Sequence, residues 1–253
     1  MGIVLIIAHL SLSASPLVVI DPGHGGAQDG AVGICGIKEK DAVLAISKKA
    51  QALINQTGTI RAELTRSTDV DIPLAQRPII ANQRRADLFV SVHANSSPSE
   101  RSNGVETFFL SRKASDQYAM SLAARENGTH HAKATQPQDA LGEILGKLKH
   151  QKNHQSSQQF AFQLQRTLST SIQARNRGVL QAPFMVLKAT KMPAILVEVG
   201  FLTNEKECPK LGQDEHLTQI AKGLAQGIIL QVQRQKTRPH ARASVHTQSP
   251  GNH

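Results

Sequence analysis

The chain has 253 residues, with 29 Lys and Arg against 19 Asp and Glu, a formal net charge of +10. The length suits one sizeable α/β domain, and the charge points to an anionic partner: a nucleic acid, a membrane surface or a cell-wall polymer. Aromatic residues are only 3 %, with no Trp and one Tyr, and no nucleic-acid motif is visible, so no nucleic-acid partner is expected.

In chain order, Ile3 to Leu12 is apolar apart from His9 and too short to span a bilayer. With the small residues that follow it has the apolar core and end of a secretory signal, although no basic residue precedes the core. Residues 1–16 therefore read as a leader, and the location as periplasmic or secreted. Strand-like runs follow at Leu17–Asp21, Ile60–Thr65, Leu88–His93, Val105–Leu110, Phe184–Leu187 and Ile195–Val199. Helical patterns lie between most of them, at Asp41–Asn55, Leu74–Arg85, Ala114–Arg125, Gln158–Ile172 and Leu217–Gln233. This alternation predicts an α/β fold: about six strands in a mainly parallel twisted sheet, flanked by helices on both faces, in a single domain over residues 17–233.

Two stretches stand apart. Residues 127–158 are polar and rich in Gln, His and Lys, with Leu141, Ile144, Leu145 and Leu148 at helical spacing. They read as an inserted surface excursion with one short amphipathic helix. Residues 234–253 carry no acidic residue and no apolar periodicity. They read as a disordered basic tail with weak attraction for anionic polymers or membrane. Cys35 and Cys208 form no framework and read as two free thiols, a single bridge between them being the alternative.

The chemistry gathers where strands end, as in other open α/β sheets. The turn "VVIDPGHGG" puts His24 between glycines, Glu39 follows in "GIKEKD", His93 in "FVSVHANSS" and Glu198 in "AILVEVGFLTN". Two imidazoles and a carboxylate are a recipe for catalytic Zn2+ with one open position for water, and a second carboxylate nearby can take that water's proton. Glu198 on a buried strand is costly without a partner. Taken singly, each has a plainer reading: His24 as a structural turn residue, Glu39 between two lysines as surface charge, His93 as a core histidine.

The segments "VVIDPGHGG", "DGAVG", "GIKEKD", "RPIIANQRRADLFVSVHAN", "GVETFFLS" and "LKATKMPAILVEVGFLTNEKE" resemble, in the same order from about residue 17 to about 232, the zinc-dependent N-acetylmuramoyl-L-alanine amidases that split daughter-cell walls. The resemblance implies that His24, Glu39 and His93 hold Zn2+ and that Glu198 is the catalytic glutamate. The substrate would be peptidoglycan, cut between N-acetylmuramic acid and the L-alanine of the stem peptide. A zinc carboxypeptidase or deacetylase acting on wall peptide or sugar is the alternative. Asn95 and Arg77 fall within matching motifs and would orient substrate or the groups behind the ligands. The self-inhibited members place a glutamate on the metal, and "SLAARENG" puts Glu126 at the matching place, with Asp139 and Glu143 as weaker candidates. An activator protein would then be a partner, and the chain is expected to be a monomer. Cys35, between two ligands in sequence, reads as a small loop residue more readily than as a thiolate ligand.

Overall fold

The structure is a computed structural model that describes residues 15–128 and 140–237, with side chains described for 15–128 and 153–237. Its elements in chain order are β1 (Leu17–Pro22), α1 (Glu39–Asn55), β2 (Arg61–Leu64), α2 (Gln76–Gln83), β3 (Leu88–Asn95), β4 (Val105–Leu110), α3 (Gln117–Asn127), α4 (Ala140–Ser171), β5 (Asn176–Ala182), α5 (Met185–Lys188), β6 (Ala194–Phe201) and α6 (Asp214–Thr237).

The strands form one six-stranded sheet in the order β2-β1-β3-β6-β4-β5. Strands β2, β1, β3 and β6 are parallel to one another, whereas β4 runs antiparallel to β6 and parallel to β5. The central strands are buried along their whole length. That is why "LVVI", "LFV" and "AILV" are unbroken apolar runs rather than alternating ones. Successive residues still point to opposite faces. Val18, Ile20, Val90, Val92, Ile195 and Val197 pack with α1, α4 and α6; Val19, Phe89, Phe108 and Leu196 pack with α2, α3 and α5. Each such fully buried side chain contributes about 1.5–3 kcal/mol of transfer free energy. The expected sheet covered on both faces is thus the observed one.

Topology decides where the site lies. The chain leaves β1 for β2 on one side and returns to β3 on the other. Between β1 and β3 it therefore opens a crevice at the strands' carboxyl ends, the place where such sheets bind their ligands. His24 follows β1, and His93 lies near the end of β3.

Several expectations need correction. The run Phe184–Leu187 is not a strand: Met185–Lys188 is a one-turn helix, and the edge strand is Asn176–Ala182 instead. A short apolar run does not distinguish buried strand from buried helix, and Phe184, Val186 and Leu187 are buried on the α5 side. The missed strand contains Gly178 and lies half-exposed at the sheet edge, so no apolar pattern marks it. The pattern at Leu141–Leu148 is not a separate short helix, because α4 runs unbroken from Ala140 to Ser171. Helix α6 continues to Thr237, which makes the first residues of the expected tail helical. Residues 1–14, 129–139 and 238–253 lie outside the described residues, and with them most of the leader, Asp139 and the rest of the tail; the Glu143 side chain is also outside them. Among the described residues no helix is long and apolar enough to cross a membrane.

The cysteines are a further correction. Cys35 and Cys208, 173 residues apart, form a disulfide with Cα atoms 6.0 Å apart. Cys35 is therefore neither a free thiol nor a metal ligand. Gly33 makes the approach feasible, since a Cβ there would meet Cys208 Sγ at 2.5 Å.

Candidate metal centre

His24 sits in the turn after β1 with φ of 56°, in the left-handed region that few side chains adopt. Glu39 is the first residue of α1. His93 lies on β3, where the pairing with β6 shifts register between His93 and Asn95. Glu126 comes from the last turn of α3. These four residues, distant in sequence, bring one ligand atom each to within 4.8 Å of one another. His24 Nε2 lies 3.1 Å from Glu39 Oε2 and 3.3 Å from Glu126 Oε2. His93 Nδ1 lies 3.0 Å from Glu39 Oε1 and 3.2 Å from Glu126 Oε2. Ligands held at about 2.0–2.2 Å around a tetrahedral ion stand about 3.3–3.6 Å apart, a few tenths of an ångström wider than this spacing.

Small residues make the convergence feasible. A Cβ on Gly23 would meet the His93 ring at 2.5 to 2.8 Å, and one on Gly30 would meet Glu39 Oε2 and His24 Cδ2 at 2.6 Å. Backbone donors fix the Glu39 carboxylate: Ala31 N–H to Oε2 at 2.8 Å and Ala94 N–H to Oε1 at 3.0 Å. Two buried atoms of the cluster, His24 Nε2 and Glu126 Oε2, have no hydrogen-bond partner among the described residues. Orphaned donors and acceptors facing one point are what a cation would satisfy. Within the cluster the carboxylates and imidazoles act on one another's charge. Burial raises the Glu39 carboxyl, but the two imidazoles outweigh it and hold it down to about 2. Burial lowers the His93 imidazole, but the Glu126 and Glu39 carboxylates raise it well above its usual value.

Glu198 is fully buried on β6, opposite Glu106 of β4 and beside His93 of β3 in the sheet register. Neither of its oxygens has a hydrogen-bond partner among the described residues. Burial, with the Glu126 and Glu39 charges added, pushes its carboxyl well above the usual range despite the opposing His93.

The N-acetylmuramoyl-L-alanine amidase family matches residues 18–230. The chain belongs to that family. It is 38 % identical over 217 residues to the N-acetylmuramoyl-L-alanine amidase AmiA of Escherichia coli (strain K12), covering 84 % of this chain and 75 % of that protein. Among solved structures it is similar to the N-acetylmuramoyl-L-alanine amidase from Clostridium difficile 630, with a TM-score of 0.67 and 29 % identity over 87 % of this chain and 98 % of that one. It is also similar to the CwlD amidase from Clostridioides difficile in complex with the GerS lipoprotein, with a TM-score of 0.65 and 25 % identity over 87 % of this chain and 100 % of that one. The enzyme hydrolyses the amide between N-acetylmuramic acid and L-alanine in peptidoglycan.

The two remaining site candidates with described side chains are buried, and Arg77 lines the same cavity as His24, His93 and Glu126. Arg77 donates to the carbonyls of Pro22, His24 and Ile72 and to Asp21. Asn95 donates to Tyr118 Oη at 2.8 Å and accepts from Arg125 at 2.9 Å. Sequence reasoning passed over Glu106, whose Oε1 accepts from Tyr118 at 2.6 Å and Arg177 at 2.9 Å. The signal was available: a lone carboxylate in the apolar strand "VETFFL", the same signal that singled out Glu198. Arg66, buried under the His24 turn, was also passed over, and no local pattern marks it.

Proposed function

We propose that the amidase works with a zinc ion held by His24, Glu39 and His93, with Glu198 as general base and acid, and that Glu126 is an extra ligand that keeps the resting enzyme quiet. The observation that carries this reading is the convergence of His24, Glu39, His93 and Glu126 to within 4.8 Å, with buried atoms at His24 and Glu126 that have no hydrogen-bond partner among the described residues, and with the equally unpaired Glu198 beside His93 in the sheet. Two imidazoles and a carboxylate suit Zn2+. Bound there, zinc would supply Lewis acidity, lowering the pKa of a water to about 7 and polarising the lactyl carbonyl. Glu198 takes the proton of the attacking water as its oxygen adds to the carbonyl carbon. It returns that proton to the leaving nitrogen as the C–N bond breaks, and the second water proton passes from the new lactyl carboxyl group to the amine, leaving a lactyl carboxylate and the ammonium of L-alanine. A carboxyl raised by burial suits that holding role.

Self-inhibition is supported by the Glu126 distances of 3.2 and 3.3 Å to the two histidine nitrogens. A fourth protein ligand takes the position that the reacting water needs. An activator would bind the state with Glu126 withdrawn better than the closed one. Moving such a balance from 1:99 to 99:1 takes about 5.5 kcal/mol of differential affinity. The CwlD relative in complex with a lipoprotein is consistent with a protein in that role. Export of the chain is supported by the Cys35–Cys208 bridge, because disulfides persist in oxidising compartments. In this reading residues 1–16 are the leader, 17–233 the catalytic unit, 127–158 the inhibitory insertion and 234–253 a basic tail drawn to anionic wall or membrane.

The test is metal content and muropeptide products of the purified protein, before chelation, after it, and after zinc is restored. About one zinc per chain, and a slow basal release of free stem peptides that stops on chelation and resumes with zinc, are expected. Undiminished release of stem peptides by metal-free protein would overturn the zinc mechanism.

A further inference from the structure

Arg66 stands just beyond β2, and its side chain is buried, with 2 % of the residue exposed. Every hydrogen bond it donates among the described residues goes to a backbone carbonyl. Nε donates to Pro22 at 3.0 Å, Nη2 to Gly23 at 2.7 Å and to Lys40 at 2.9 Å, and Nη1 to Thr68 at 3.2 Å. A guanidinium taken out of water without a carboxylate to bond is expensive, so the carbonyls it holds need a reason to be held.

Their places in the chain supply one. Pro22 and Gly23 are the two residues before His24, and Lys40 is the residue after Glu39. One planar, rigid fork therefore ties the backbone entering His24 to the backbone leaving Glu39. The His24 turn needs such support. Strand pairing of β1 ends at Pro22, and His24 itself sits at φ of 56°. The turn is moulded onto the fork, since a Cβ at Gly25 would meet Arg66 Nε at 2.9 Å. Arg77 takes the next carbonyl, that of His24, at 2.7 Å. A lysine offers one compact ammonium and does not reproduce the fork.

We propose that Arg66 is a positioning residue that sets metal affinity, by holding the His24 and Glu39 backbones at one fixed separation. The proposal rests on the reading of those two residues as metal ligands. Buried behind the turn, Arg66 touches neither substrate nor metal.

The experiment measures zinc affinity of the full chain by competition with a chelator, with thermal unfolding alongside. Wild type, Arg66→Lys, and Ile228→Val as a mildly destabilised core variant on α6 are compared. Arg66→Lys is expected to bind zinc about 10- to 100-fold more weakly, the usual cost of losing a group that orients a ligand. Its KM for peptidoglycan stays as in wild type. Ile228→Val lowers the melting temperature and leaves zinc affinity alone, as a purely structural role for Arg66 would. Arg66→Gly supplies the second arm, and decides the matter if Arg66→Lys does not fold. Its zinc affinity should rise as free guanidinium is added, while that of Ile228→Val should not. Wild-type zinc affinity in folded Arg66→Lys, or indifference of folded Arg66→Gly to guanidinium, overturns the proposal. Failure of the wild-type protein itself to bind zinc overturns instead the metal reading on which it rests.

Discussion

Two of the site's glycines act through the atoms they lack. Gly23 is not at positive φ, so its replacement by alanine is a steric test with no backbone strain mixed in. The added methyl meets the His93 ring. Gly23→Ala is expected to fold and to bind zinc at least about tenfold more weakly, since ligand placement to about half an ångström governs such sites; a chelator competition assay reads this. At Glu198 the expectation differs. Glu198→Gln keeps the shape of the side chain and removes its proton-accepting carboxylate. Zinc content should stay at the wild-type level while turnover falls by about 10²–10⁴-fold. Metal analysis and muropeptide release measured on the same preparation separate the two effects.

Helix α3 carries Glu126, the residue of the proposed latch. Its Asp116 cap accepts from Ala119 N–H, and Ala119, Leu122 and Ala123 bury one face against the sheet. Its polar side reaches into the site. Tyr118 bonds Glu106, Arg125 bonds Asn95 and the Ser96 carbonyl, and Asn127 bonds Pro183 and Met185. Arg125 Nε also sits 3.2 Å from Glu126 Oε1, steering that carboxylate toward the histidines. Glu126→Ala should therefore raise basal hydrolysis of purified peptidoglycan with no partner present. Arg125→Ala should raise it less, because the carboxylate remains but is no longer held. Dye release from labelled sacculi measures both, and unchanged basal activity in zinc-loaded Glu126→Ala removes this residue from the latch.

At the scale of the molecule, the Cys35–Cys208 bridge joins the loop before α1 to the segment after β6. The same region is held by Gly33 N–H to the Ile37 carbonyl and Ile34 N–H to the Leu202 carbonyl. Closing so long a loop restricts the unfolded chain, and replacing both cysteines by serine should cost about 2–5 kcal/mol. For a domain of this size that is about 4–20 °C in Tm. A reductant added to wild type should reproduce the drop, and calorimetry reads both.

Much of this was legible beforehand, and the reason is locality. The apolar runs of β1, β3 and β6 mark strands buried on both faces wherever they fall in a fold. His24, His93 and Glu198 stand out because an ionisable group at the end of such a run, or within it, is expensive unless something compensates it, whereas Glu39, between two lysines, is marked only by the family resemblance. What pairing and packing decide was not legible. Asn176–Ala182 becomes a strand only because β4 offers it an edge, and "FMVL" becomes a turn of helix only because the α5 side needs its apolar surface. Glu126 was named through the family resemblance, whereas the bridge between Cys35 and Cys208 and the carbonyls gathered by Arg66 join residues far apart in the chain that no motif links. Their spacing in sequence carries no trace of their distance in space, so only the tertiary structure brings them together.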